Sequence, residues 1–168
     1  KTVGVIGSGK RGRETAKRVK ALGGKAYYYD VMRPSPADEK EMDVEYKSLD
    51  ELIAMSDIIS IHVPMTPETK GLLNKDRIAK MKKGAIIVNT SRGGIVDEGA
   101  LYETLKSGHL YGAALDVFEN EPCKTSPLFE LDNIVMTPHV GAQTEEGQLR
   151  AGVQIAELVI KELNALKK

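Results

Sequence analysis

An open parallel β-sheet covered by helices on both faces is the fold class that this sequence predicts. Three observations predict it. Short aliphatic runs alternate with longer segments of helical period. The runs are near-continuous rather than alternating in polarity, which signals burial on both faces, as in a parallel sheet between helix layers. A glycine-rich turn joins the first run to the first helical segment. Right-handed crossovers then give a doubly wound, three-layer α/β sheet.

Each element follows from its own residues. Val3-Gly4-Val5-Ile6 reads as a buried first strand. Residues 10–22 read as a helix, with Ala16, Val19 and Leu22 at helical spacing and Gly23-Gly24 closing it. Residues 25–29 form a second strand. Residues 33–43, with Pro34 and Pro36, read as a polar surface excursion. A domain boundary there would cut the second strand from its partners. Residues 50–55 predict a short helix capped by Ser48 or Asp50. Ile58-Ile59-Ser60-Ile61 is a third strand, residues 74–81 a helix and residues 84–88 a fourth strand. Residues 97–107 predict a helix closed by Gly108. A fifth strand at 111–115 and a sixth at 133–136 precede a long helix over about 143–166. Internal repeats and low-complexity tracts are absent.

The bulk numbers bound the function. A length of 168 residues suits one domain with a real core. Hydrophobic residues at 41% and charged residues at 29% are those of a globular protein in water. Lys+Arg and Asp+Glu are equal at 24 each, so the basic excess of a nucleic-acid binder is missing. No apolar run approaches the ~18 residues of a membrane span. The chain enters a strand at once, and no signal peptide is expected. The single Cys123 excludes an internal disulfide framework and suits the cytoplasm; in its Pro-Cys-Lys loop it reads as a bystander. No metal site is expected.

Gly7-Ser8-Gly9-Lys10-Arg11-Gly12 matches G-x-G-x-x-G, and its place between a buried strand and a helix gives the match its weight. Gly7 permits the turn, Gly9 lets backbone approach a pyrophosphate, and Gly12 allows close helix–strand contact. The helix N-terminus adds free N–H groups and about half a positive charge. Asp30 ends the second strand eighteen residues beyond Gly12. An acid there accepts hydrogen bonds from ribose hydroxyls and repels a 2′-phosphate, which favours NAD over NADP. Arg33, close by, works against that preference.

Ligands of open parallel sheets bind outside the carboxyl ends of the strands. Arg92 follows the fourth strand, Glu121 the fifth and His139 the sixth. A guanidinium holds a substrate carboxylate through two parallel bonds. An imidazole takes and returns a hydroxyl proton near neutral pH. A carboxylate on its other ring nitrogen fixes the tautomer. Together these describe proton transfer coupled to hydride transfer at a 2-hydroxy or 2-keto acid carbon. Singly, each has an ordinary explanation: a surface ion pair, a loop acid, a turn histidine.

With these residues in view, the chain resembles the D-isomer-specific 2-hydroxyacid dehydrogenases, in their Rossmann-type cofactor domain, nearest the phosphoglycerate dehydrogenase and glyoxylate reductase branches. The resemblance rests on residues 3–12, His62-Val63-Pro64-Met65-Thr66-Pro67-Glu68-Thr69, residues 84–97, 112–122 and 137–142. It implies that Arg92 binds the substrate carboxylate, that His139 is the general acid/base, and that Glu121, rather than Glu119, is its partner. It implies that Asp116 meets the nicotinamide carboxamide, with Thr90 and Ser91 nearby, and that Pro64 and Thr69 line the adenine side. Lys10, Arg11, Val63 and Gly141 join the implied NAD contacts. His62 and His109 are expected to be structural.

Two departures accompany the match. Arg11 stands where the family usually has an aliphatic residue. The family also has a substrate-side domain, built from residues before this first strand and after the last helix. One wall of a cleft leaves a nicotinamide open to water, whereas hydride transfer needs a closed, water-poor site. The expectation is therefore an isolated domain that binds NAD with little turnover. The rival readings are a dinucleotide-sensing interaction module, as in corepressor-like relatives, and a purely structural domain. The partner is expected to be a small 2-hydroxy or 2-keto acid. In the family this domain supplies a homodimer contact, partly from an element before the first strand, so the expectation of a homodimer here is weaker.

Overall fold

Strands form where aliphatic or aromatic runs stand between helix caps. They are β1 (Thr2–Ile6), β2 (Lys25–Tyr29), β3 (Glu45–Tyr46), β4 (Ile58–Ile61), β5 (Ile86–Asn89), β6 (Gly112–Leu115) and β7 (Ile134–Met136). The helices are α1 (Lys10–Ala21), α2 (Pro36–Met42), α3 (Leu49–Met55), α4 (Lys75–Ala79), α5 (Glu98–Lys106) and α6 (Glu145–Ala165), with a 3-10 turn at Pro127–Glu130. The computed structural model describes residues 1–166, the side chains of 41 and 42 aside. It divides into two units, residues 1–138 with the whole sheet and residues from 139 onward with α6.

All strands of the first unit pair in parallel, in the order β3-β2-β1-β4-β5-β6-β7. Side-chain parity splits the core. Val3 and Val5 of β1 and Ala26 and Tyr28 of β2 pack with Ala16 of α1 on one face. Ile6, Ile59, Ile61, Ile87 and Leu115 pack on the other face with Leu52 and Ile53 of α3, Ile78 of α4 and Leu101 of α5. The result is the three-layer doubly wound sheet that the sequence predicts.

The structure differs from that expectation in three places. Residues 33–43 are not merely an excursion, because α2 forms inside them. Ser35 caps it, its Oγ accepting from Asp38 N at 3.2 Å, and Pro36 opens the first turn, where a missing N–H costs nothing. A seventh strand, β3, pairs with β2 through Glu45 and Tyr46 only. Two residues, one of them charged, carry no strand periodicity. Double burial also holds only in the centre: β5 and β6 alternate buried and half-buried residues, and Val135 of β7 is 67% exposed. At α3 the cap is Ser48, in a capping box with Glu51.

Register decides what the sheet presents. Tyr29, Ile6, Ile61, Asn89, Leu115 and Met136 lie side by side in one row across six strands. The next residue on each strand is therefore Asp30, Gly7, His62, Thr90, Asp116 or Thr137. With strands ~4.8 Å apart, Asp30 and Asp116 stand four spacings, about 19 Å, from each other along this rim. Strand order reverses at β1/β4, so Gly7 and His62 flank the switch point where ligands of such sheets bind.

In the second unit, α6 is capped by Thr144, whose Oγ1 accepts from Gly147 N at 3.0 Å, and none of its residues is buried. No helix among the described residues is long and apolar enough to cross a membrane. Leu52 is fully buried, whereas Leu149 is 70% exposed. Leu52→Ala is expected to lower unfolding free energy by about 2–5 kcal/mol in urea titrations, and Leu149→Ala by no more than about 0.5 kcal/mol.

Candidate functional site

The first corner of the rim is the turn from β1 into α1. Gly7 has φ +99°, and a Cβ on Gly12 would lie 1.9 Å from the Gly7 carbonyl oxygen, so both are glycine for reasons internal to the fold. Gly9 is different. A Cβ there would meet no protein atom within 4 Å, so the space its missing side chain leaves is open.

The N-terminus of α1 breaks the rule its neighbours obey. Among the described helices, α2 to α6 each have a side-chain cap and at least one acid in the first turn. α1 starts from Gly9 with no side-chain cap and no acid in its first turn, and Lys10 and Arg11 begin the helix. Cations at the positive end of a helix dipole are unfavourable unless an anion joins them. An uncapped, cationic helix start beside open space fits a pyrophosphate.

Asp30 sits beside this turn. Its Oδ2 accepts from Ser8 N at 2.6 Å and from Ser8 Oγ at 2.9 Å, and its Oδ1 accepts from Met32 N at 3.1 Å. Oδ2 is filled by these two bonds, and Oδ1 keeps acceptor capacity for a ribose hydroxyl. His62 closes the other side. Its N–H donates to Ile6 O at 2.7 Å, and a Cβ on Gly7 would lie 2.9 Å from His62 C and from Val63 Cγ1. The ring Nε2 is 2.9 Å from Ser60 Oγ. Burial, and then the Arg11 charge, hold this imidazole below its usual pKa. Pro64 and Thr69 come together, Thr69 Oγ1 donating to Pro64 O at 2.7 Å while accepting from Thr66 N at 2.8 Å. His109 is occupied elsewhere, its ring 3.1 Å from Met81 O.

The loops after β5 and β6 form the second corner. Asn89, 1% exposed, organises the first: its Oδ1 accepts from Ser91 N and Ser91 Oγ, and its Nδ2 donates to Arg92 O at 2.9 Å. Ser91 is thus committed inward, while Thr90 and Arg92 are exposed. Arg92 Nη1 also donates to Ser91 O at 2.6 Å. A Cβ on Gly93 would lie 1.7 Å from Phe118 O, so the Arg92 loop is pressed against the loop after β6. In that loop Glu121 Oε1 accepts from Phe118 N at 3.0 Å, and Glu119 N donates to Glu98 Oε1 at 2.6 Å. Asp116 is 5% exposed and accepts from Thr137 Oγ1 at 2.5 Å, the contact that the register row requires.

His139 and Gly141 belong to the second unit. His139 is exposed and has φ 56°, the left-handed region that side-chain-bearing residues seldom occupy. Gln143 N donates to Val140 O at 2.9 Å and Gln143 Nε2 to His139 O at 3.3 Å, which fixes this turn ahead of α6.

Residues 1–141 match the family model for the D-isomer specific 2-hydroxyacid dehydrogenase, NAD binding domain. The chain belongs to this family, as its NAD-binding domain. It is 52% identical over 159 residues to a D-3-phosphoglycerate dehydrogenase of Mycobacterium bovis, covering 95% of this chain and 30% of that protein. It is 51% identical over 166 residues to a hydroxypyruvate reductase of Thermotoga maritima, covering 97% and 53%. A D-lactate dehydrogenase of Aquifex aeolicus, solved with NAD and lactic acid, superposes with TM-score 0.87 at 37% identity, covering 98% of this chain and 54% of that one. The chain thus spans about a third to a half of these relatives. The likeness to phosphoglycerate dehydrogenases is the branch that the motifs suggest.

Sequence reasoning missed two residues that shape this NAD-binding domain, Asn89 and Gly93. Both stand inside the motif that carries Arg92, but only the fold shows what each does. Asn89→Ala strands the Ser91 N–H and Arg92 C=O, and it is expected to cost about 1–3 kcal/mol of stability in denaturant titrations. His62 gives a pH signature. Its folded pKa lies below its unfolded value, so the unfolded chain binds the proton first and stability falls as pH drops below about 6.5. His62→Gln is expected to flatten that part of the stability–pH curve, measured by thermal melts across pH.

Proposed function

We propose that this domain serves the NAD-dependent interconversion of a D-2-hydroxy acid and its 2-keto acid. The observation that carries the reading is the rim itself. One register row sets the phosphate turn, Asp30, Thr90 and Asp116 along a line, with the Arg92 and Glu121 loops pressed together at its far end. Bound NAD supplies the hydride acceptor, and in the reduced form the donor.

The chain's residues then have distinct roles. The α1 amides, with Lys10 and Arg11, hold the pyrophosphate. Asp30 accepts from the ribose hydroxyls, and Val63, Pro64 and Thr69 flank the adenine side. Asp116 orients the carboxamide, near Thr90 and Ser91, and Gly141 adds backbone contact. Arg92 grips the substrate carboxylate in a two-bond clamp. His139 takes the hydroxyl proton on oxidation and returns it on reduction, and Glu121 is the acid that the family resemblance implies for the same chemistry. The assignment of His139 draws on its residue type, its motif and the relatives' chemistry. A homodimer and a cytoplasmic setting complete the proposal, both resting on the family resemblance and the lone cysteine.

Calorimetric titration with NADH tests the cofactor role: a saturable heat is expected, and its absence would overturn the reading. Asp30→Ala is expected to weaken NADH by about tenfold or more while leaving NADPH within about threefold, since the acid helps one cofactor and repels the other. In assays of NADH consumption with 2-keto acids, His139→Gln is expected to slow turnover about 10²–10⁴-fold with the NADH dissociation constant little changed.

A further inference from the structure

Two guanidiniums stand beside the Asp30 corner, and both are tied to α2. Arg13 Nε donates to Ser8 O at 2.9 Å, and its Nη2 lies 3.8 Å from Asp38 Oδ2. Arg33 leaves the turn that Asp30 closes through Met32 N. Its Nη2 donates to Glu39 Oε1 at 2.9 Å and Oε2 at 3.0 Å, and its Cζ lies 4.5 Å from the centroid of the Tyr46 ring. From below, the fully buried Tyr28 donates its hydroxyl to Glu39 Oε1 at 3.0 Å. Arg33 and then the Tyr28 hydroxyl hold the Glu39 carboxyl below its usual pKa, so it stays ionised at neutral pH.

This arrangement bears on a conflict in the sequence. Asp30 repels a 2′-phosphate, yet an arginine three residues later is a residue type that accommodates one. The conflict disappears if the arginine is withheld. Guanidinium–carboxylate bonding through both acceptor oxygens and stacking on a ring are the two contacts that best fix an arginine's orientation. Arg33 has both, and both point it at the β3/α2 edge.

We propose that Glu39 is a cofactor-specificity residue: by holding Arg33 against Tyr46, it denies a 2′-phosphate the one guanidinium that follows Asp30 in its turn. The inference rests on the NAD reading of the Asp30 corner. Discrimination against NADP is then shared between a repelling carboxylate on the rim and a latch on α2 that touches no cofactor. Glu39 acts through Arg33 and is a positioning residue.

The test measures dissociation constants of NADH and NADPH for the full chain and four variants. Glu39→Gln keeps an acceptor for Tyr28 but loses the charge that binds Arg33. It is expected to tighten NADPH about three- to tenfold, as one charge-assisted contact becomes available, with NADH within about twofold. Arg33→Ala alone is expected to leave the NADPH:NADH ratio unchanged, because the guanidinium is already withheld. The double variant Glu39→Gln/Arg33→Ala is expected to lose the gain. Should thermal melts show Glu39→Gln unfolded, Glu39→Asp, one methylene too short to hold both bonds, is expected to give a gain of about threefold. An unmoved ratio in the folded Glu39 variant, a gain that survives in the double variant, or a loss in Arg33→Ala alone overturns the inference while the NAD reading stands. Absence of saturable NADH binding in the unmodified chain overturns both.

Discussion

The parallel hydrogen-bond ladder is the constraint on which everything else depends. Each strand of a parallel sheet runs the same way, so all carboxyl ends fall on one edge, and register fixes which residue of each strand stands there. Here the row from Tyr29 to Met136 does this for six strands at once. A one-residue slip in any strand would replace Asp30, Gly7, Thr90 or Asp116 at the rim with a neighbour and turn its apolar side chains to the wrong face. Packing therefore enforces the site. The same Ile6, Ile61 and Leu115 that fill the larger core set the height at which the polar residues emerge.

A local rule is broken at this edge. Most helices of the chain are capped by Ser, Thr, Asn or Asp, yet the one that follows the glycine turn is left uncapped and cationic. A buried asparagine is spent on shaping a loop rather than on the core. The uncapped, cationic start of α1 is unfavourable by itself and makes sense where an anionic ligand compensates it.

The segment between β2 and α3 shows how a surface element shapes a site without entering it. Its prolines and charges look like a linker in one dimension. In three, Ser35 and Pro36 start a helix whose acids face back towards the arginines beside Asp30. The acids are ordinary first-turn residues for α2, favourable to its own dipole, and they serve the neighbouring corner as well.

Buried runs, helical periods and caps are local signals, so the class of fold was legible in the sequence, as were six of the seven strands and five of the six helices among the described residues. The sequence also determined the glycine turn, Asp30 and the motif holding Arg92, since each has a fixed place relative to a strand end. It did not reveal β3, α2, Asn89 or Gly93. Two paired residues make no pattern, and the need for glycine at 93 arises from Phe118, twenty-five residues away in the chain. The tertiary structure decided those, along with the row that aligns the rim and the partner that Arg33 takes. Each depends on which distant backbone lies alongside, and that is settled only when the strands are laid in register.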